Sequence, residues 1–275
     1  MLRLHVPELA AWTLPVDAAQ PVLDHSLPAA AVRHVQVRRL QPGDTLQLFD
    51  GAGQEWRAEL TGMARSAATI RLIDRVSALP ELPLHVTLAL AVPANDRMDS
   101  LIEKATELGV ACIQPLATQH SVLRLDGGRA DKRRAHWQGV ASAAAEQCGR
   151  AWVPSVAPWR GFGEWLEALG TADPSAKLEG HRPAIAAQRW LLSPQAQVPL
   201  HSRYSTTFSA EVSIPAAARP RIICLSGPEG GLSLAEEAQA VGHGFVPLHL
   251  GARVLRADTA PLAVMAWLAL GSTGP

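Results

Sequence analysis

The stretch Leu84 to Val92 (LHVTLALAV) restricts the possible folds more than any other. A surface strand alternates apolar and polar residues. A run this apolar reads instead as a strand buried on both faces, as in a parallel sheet covered by helices. The next residues supply such a helix. Asp96 or Asp99 can cap it, Met98, Leu101, Ile102 and Ala105 follow helical spacing, and Gly109 ends it. Val110 to Leu116 is then a second buried strand, so the segment reads as a βαβ unit.

Residues before this point follow a different rule. Thr45 to Asp50, Glu55 to Leu60 and Ala68 to Val76 read as short strands, the first two joined by the Gly51-Ala52-Gly53 turn. Short strands with glycine turns predict a small β-barrel over residues 1–80. Pro80 to Pro83 (PELP) marks the boundary, and an α/β domain with a parallel sheet is expected over 84–275. Within it, a long helix is expected at Lys132 to Cys148 and a shorter one at Gly163 to Leu169. Strands are expected at Arg189 to Leu192, Arg221 to Ser226 and Phe245 to Leu250, and an apolar helix at Thr259 to Leu270. The stretch at about 194–220 is rich in Pro, Ser and Ala and reads as a long surface excursion.

Composition narrows the classes. No run of about 18 apolar residues is present to cross a membrane, and the opening MLRLHVPELAAW does not read as a secretory signal. The three cysteines are far apart with no CxxC pattern, and read as buried reduced thiols of a cytoplasmic protein. No metal-ligand spacing is visible in the sequence, so no metal is expected. Lys+Arg and Asp+Glu are 25 each, so the chain is no generic nucleic-acid coat, which would need an excess of cations. Local clusters remain possible: Arg33, His34, Arg38 and Arg39, then Arg129, Lys132, Arg133 and Arg134, followed by Arg150. The eight tryptophans and His243 and His249 read as structural.

Two loops near the C-terminus carry chemistry. Gly227-Pro228-Glu229-Gly230-Gly231 joins a buried strand to a helix opened by the capping-box pattern Ser233-Leu234-Ala235-Glu236. A glycine loop in this place lets backbone N–H groups meet a ligand. It is neither GxGxxG nor a phosphate loop with GK[ST]. Glu229 repels phosphate but tolerates a neutral adenosyl group or a cationic sulfonium. The second loop, GARVLRAD at 251–258, follows another strand end, so both open at the carboxyl edge of the sheet. Arg253 and Arg256 bring positive charge there, and Asp258 either caps the last helix or lies near the reacting group.

With these loops in view the chain resembles the bacterial 16S ribosomal RNA uridine N3-methyltransferases of the SPOUT superfamily. The matching stretches are RHVQVRRLQPGD (33–44), DRMDSLIEKATELGV (96–110), AAEQCGR (144–150), SGPEGGLS (226–233) and LGARVLRADTA (250–260). The resemblance implies an N-terminal PUA-like β-barrel that helps hold RNA. It implies a SPOUT α/β domain with a parallel sheet and a C-terminal trefoil knot, and homodimers whose sites lie against the partner. It also implies S-adenosylmethionine bound by Leu225, Gly227, Pro228, Glu229, Gly230, Gly231, Leu250, Gly251, Val254, Leu255 and Arg256. Three features depart from the family. RVLRADTA stands where RVLRTETA is common, VPAN lacks a usual Lys, and the excursion at about 194–220 is longer.

The expected catalytic residues are Arg256, to stabilise a uracil deprotonated at N3, and Asp258 as a proton acceptor. Arg33, His34, Arg38, Arg39, Arg134 and Arg150 are the expected contacts to 16S ribosomal RNA or the small subunit. Gln147 reads as either an RNA contact or a cap of the long helix, and Lys104, near Glu103 and Glu107, as a solvated or paired surface residue. A methyltransferase with another RNA target and a non-catalytic RNA-binding protein are the alternatives.

Overall fold

Two sheets of different character organise the chain. The computed structural model describes residues 1–12, 24–93, 97–123, 127–170, 187–202 and 219–272. These cluster into two compact units, Met1–Glu81 with Ser142–Val153, and Leu82–Ala141 with Pro154–Pro275.

The first unit holds a five-stranded sheet. Its strands are β1 (Leu2–His5), β2 (Asp24–Ser26), β3 (Thr45–Phe49), β4 (Glu55–Met63) and β5 (Ala68–Val76), ordered β1-β3-β4-β5-β2. Alternation along β3 to β5 sends Leu46, Leu48, Ala58, Leu60, Ile70 and Leu72 into one apolar core. Helix α1 (Ala29–Val37), absent from the sequence reading, covers that core with Ala31, Val32 and Val35. Strand β1 is held by Arg3. Its Nε donates to Glu55 Oε1 at 2.6 Å, its Nη1 donates to the Ala145 carbonyl at 2.8 Å, and its guanidinium lies 3.9 Å from the centre of the Phe49 ring.

The second unit carries an eight-stranded sheet whose ladders are all parallel. Its elements are β6 (His85–Ala91), α2 (Arg97–Glu107), β7 (Cys112–Ala117), β8 (Ser155–Val156), β9 (Arg160–Gly161), α4 (Phe162–Leu169), β10 (Gln188–Leu192), β11 (Val198–Pro199), β12 (Arg221–Ser226), α5 (Leu234–Gly242), β13 (Val246–His249) and α6 (Thr259–Ser272). Helix α3 (Gly127–Cys148) begins in this unit and ends in the first. The strand order is β11-β13-β10-β12-β6-β7-β8, with β9 also on β7. The expected βαβ unit is β6-α2-β7, and Gly109 ends α2 at φ +90° as expected of a left-handed cap. A Cβ at Gly109 would lie 2.7 Å from Leu82 Cδ1, so any side chain there would also displace Leu82.

Of the expected excursion, 203–218 lies outside the described residues, and so does Asp96. The described part includes β11 and a 3-10 turn at Leu200–Ser202. Of the eight tryptophans three are buried and none is exposed. The cysteine expectation needs correction. Cys224 is fully buried and its thiol is pushed up to about 12 by desolvation, whereas Cys112 and Cys148 are only partly buried. No described helix is long and apolar enough to cross a membrane.

Arg150 is buried and grips Glu81, its Nε donating to Oε1 at 3.0 Å and its Nη2 to Oε2 at 2.5 Å. Removing one partner strands a buried charge, which costs about 3–5 kcal/mol. Arg150→Ala is therefore expected to lower the thermal midpoint by several degrees while Arg150→Ala/Glu81→Leu recovers part of the loss. Equal melting of Arg150→Ala and the parent would show the pair contributes nothing.

Candidate active site

Because β13, β10 and β12 are adjacent and parallel, the loops leaving their carboxyl ends converge. After β12, Gly227 meets the returning chain so closely that a Cβ there would lie 2.8 Å from Leu232 N. Pro228 O accepts from Gly231 N at 2.8 Å, closing a tight turn with Glu229 and Gly230 at its exposed tip. Gly231 takes φ +71°, which a side chain disfavours. The capping box then anchors the loop. Ser233 N donates to Glu236 Oε2 at 2.9 Å, and Glu236 N donates to Ser233 Oγ at 3.3 Å. The other Glu236 oxygen accepts from Gln119 N at 2.8 Å, binding the loop after β7 to the start of α5.

After β13, His249 Nδ1 accepts from Gly251 N at 3.1 Å, so His249 shapes the loop. The Arg256 carbonyl accepts from Thr259 N and Ala260 N, both at 3.0 Å, and leads the chain into α6. A third loop follows β10. Ser193 N donates to Leu248 O at 3.0 Å and Ser193 O accepts from Ala196 N, which ties this loop to β13.

The three loops line one cleft of about 810 Å³. Its apolar side includes Leu192, Leu232, Leu248, Leu250, Val254 and Leu255. Val254 stands 80% exposed. The charged groups are Arg97, Arg253, Arg256, Glu229 and Glu237, and Arg97 Nη1 lies 3.4 Å from Glu229 Oε1. A cleft with an apolar wall, a glycine turn and both acids and bases fits an adenosyl ligand bearing a sulfonium. It offers no cradle for a chain of phosphates. Among the described residues no group of His, Cys, Asp or Glu could hold a metal ion.

All the residues expected to bind the cofactor line this cleft except Leu225. Leu225 is fully buried and packs with Ala89, Leu116 and Leu191, because β12 is covered on both faces. Arg256 lines the cleft, but Asp258 does not. Nor can Asp258 cap α6 in the usual way, since Ala260 N is bonded to Arg256 O and Pro261 has no N–H. Its carboxylate is approached by Thr259 Oγ1 at 3.4 Å.

Of the expected RNA contacts, Arg33, His34, Arg38 and Arg39 are exposed on and just after α1. Arg134 is exposed too, although its Nε donates to Val156 O at 2.8 Å. Arg150 is corrected: buried against Glu81, it cannot reach phosphate. Arg97, Glu237 and the loop Ser193-Pro194-Gln195 line the cleft but escaped sequence reasoning. The carboxyl-edge rule, applied to Arg189 to Leu192 as it was to the later strands, would have found the loop.

The close approach at Gly227 generates a prediction. Gly227→Ala pushes the loop off Leu232 N, so binding of S-adenosylmethionine by calorimetry is expected to weaken at least about tenfold, as for a misplaced binding loop. The far-ultraviolet circular dichroism should be unchanged. Parental affinity in this variant would mean that the turn plays no part in binding.

Comparison with known proteins agrees with this geometry. Residues 27–73 match the family described as RNA methyltransferase PUA domain, and residues 80–269 match RNA methyltransferase domain. Ribosomal RNA small subunit methyltransferase E of Synechocystis is 34% identical over 242 residues, 88% of this chain and 71% of that protein. Its namesake from Bacillus subtilis is 31% identical over 86% of each chain. A crystal structure of ribosomal RNA small subunit methyltransferase E from Neisseria gonorrhoeae bound to S-adenosylmethionine superposes with a TM-score of 0.76 at 32% identity. It covers 98% of this chain and 96% of that one. A putative methyltransferase from Legionella pneumophila, also holding that cofactor, superposes at 0.77 with 28% identity, with the same coverage. The chain belongs to the RNA methyltransferase family whose curated members are named ribosomal RNA small subunit methyltransferase E.

Proposed function

We propose that this chain methylates N3 of a uridine in the 16S ribosomal RNA of the small subunit, with S-adenosylmethionine as methyl donor. The observation that carries the reading is the convergence of three carboxyl-edge loops on one cleft that holds a glycine turn and Arg256. The relatives' names and the cofactor in the Neisseria structure support the reaction class. By the same reading the protein works in the cytoplasm, where ribosomal subunits are made. Its C-terminal segment is threaded as a trefoil knot, and the placement of β13 across β10 from β12 supports that threading.

Bound in the cleft, S-adenosylmethionine supplies an electrophilic methyl carbon on a sulfonium. The rest of the work falls to the protein. The uracil N3–H bond must break, leaving negative charge on N3 and the two neighbouring carbonyl oxygens. The exposed Arg256 guanidinium lines the cleft with Arg253 and Arg97, and a cation there stabilises that charge as it forms. The N3 proton would pass to solvent as that charge forms, and the freed nitrogen lone pair would then take the methyl group offered by the sulfonium, the electrons of the old carbon–sulfur bond staying on sulfur. Arg97 has a second task. It sits 3.4 Å from Glu229, so the carboxylate at the tip of the glycine turn does not face an incoming phosphate chain unopposed. Asp258, outside the cleft, receives no catalytic role. Arg33, His34, Arg38 and Arg39 are the proposed phosphate contacts of the first unit, with Arg134 in the second.

A homodimer belongs to the same reading. Helix α6 is apolar on nearly every face, with Val264, Met265 and Leu268 buried but Leu270 76% exposed, and Leu234 beside the cleft is 83% exposed. Light scattering is expected to return twice the chain mass of 29.3 kDa, and a monomer at every concentration would exclude the dimer.

The function is tested on ribosomal RNA from a strain lacking the protein. Its mass spectrum is expected to lack one N3-methyluridine that purified protein and S-adenosylmethionine restore. Arg256→Ala should restore it at least about tenfold more slowly, on the order of 1.4 kcal/mol in the barrier. An unchanged modification map would overturn the proposed substrate, and undiminished turnover by Arg256→Ala would remove that residue's role.

A further inference from the structure

The first unit contains a second cleft, of about 680 Å³, formed where the end of α1, strand β1 and the last turns of α3 meet. We propose that it receives one unpaired nucleotide of the ribosomal RNA, base inward and phosphate at the α1 rim. This rests on the proposed RNA substrate and adds an anchoring subsite apart from the methyl-transfer cleft.

The size comes first. The volume falls within the range of small-molecule sites and admits a single nucleotide. Walls come next. Leu2, Val37 and Leu40 are aliphatic, and Val37 is 74% exposed although it sits on a helix with apolar positions available inside. The faces of a nucleobase are apolar and match such walls. The polar groups fit the edges. Gln147 presents an exposed amide, which both donates and accepts, as the edge of a base requires. Glu146 is already committed: its Oε1 accepts from His5 N at 2.8 Å, and Oε2 lies 3.7 Å from His34 Nδ1.

Charge then separates this cleft from a simple apolar dent. His34 and Arg38 lie one turn apart on the rim of the cleft, with Arg33 and Arg39 beside them on the outside. The dipole at the C-terminus of α1 favours cations at those positions. It gives no reason for an exposed valine between them, whereas a base packed on Val37 with its phosphate on Arg38 accounts for both. Beneath the rim, Arg3 lines the cleft with its side chain nine-tenths buried. Its Nη2 is buried and has no hydrogen-bond partner. A buried donor left unpaired costs free energy, and a polar group entering beside Arg3 relieves that cost. The cleft also lies within the unit that carries the PUA match at 27–73.

The test uses the full-length protein and small-subunit ribosomal RNA transcribed in vitro. Val37→Glu places a carboxylate on an exposed position where the base and its phosphate would lie, and should weaken RNA binding at least about tenfold by like-charge contact. Gln147→Ala should weaken it about threefold or more through loss of hydrogen bonds to the base edge. Calorimetric affinity for S-adenosylmethionine should be parental in both, which also reports that each variant is folded. Crosslinking the parent to the RNA with ultraviolet light should place adducts on peptides containing Val37 or Gln147. Parental RNA affinity in both variants, with the parent binding and methylating the RNA, would overturn the subsite and leave the function standing. A parent that binds no ribosomal RNA would overturn both.

Discussion

Every ladder in the eight-stranded sheet is parallel, and most of the site follows from that. A parallel strand must be left at its carboxyl end and rejoined at its amino end, so the connections collect on two opposite edges. Three neighbouring strands, β13, β10 and β12, therefore deliver three loops to one place, although their sequence positions span some sixty residues. The loops gain shape from short-range bonds. Gly231 turns back on Pro228, Gly251 on His249, and Ala196 on Ser193. Glu236 then secures the ensemble, since one carboxylate serves its own helix cap and the backbone of the loop after β7.

What could be read from the sequence divides along a physical line. Features set by a few consecutive residues were legible: the buried strands at 84–92 and 221–226, the Gly109 cap, the Ser233–Glu236 box and the glycine turn. Features set by partners far along the chain were not. Arg150 looks like one more basic residue after a basic helix until Glu81, 69 positions earlier, is found against it. Leu225 looks like the last residue before a binding loop, and only the neighbouring strands show it to be core. Asp258 looks like a cap, and the bond from Ala260 to Arg256 removes that role. Helix α1 is hard to read because its three inward residues, Ala31, Val32 and Val35, are short and its outward face mixes Arg33, His34 and Gln36 with the apolar Val37, so its periodicity is faint in sequence.

The charge distribution shows why a net charge of zero misleads. Several cations are spent within the fold: Arg3 on Glu55, Arg57 on Asp74, Arg71 on Asp24, Arg150 on Glu81. Such pairs leave their neighbourhoods neutral, and what matters for an anionic partner is the remainder. On α1 and at its end that remainder is one-signed, with Arg33, Arg38 and Arg39 all exposed. A local field of this kind acts over about one Debye length, roughly 8–10 Å, whatever the total charge of the chain.

The division of the chain has a consequence for its synthesis. The first compact unit includes Ser142–Val153, where Ala145 receives Arg3, Glu146 receives the backbone of His5, and Arg150 receives Glu81. Seventy-two residues separate Glu81 from Val153. At the usual pace of translation, about 5–20 residues per second, the nascent five-stranded sheet waits roughly 4–14 s for these partners. During that interval Glu81 has no guanidinium and the inner end of Arg3 has no carbonyl. The first unit therefore emerges first but matures late, and its completion coincides with the growth of the parallel sheet instead of preceding it.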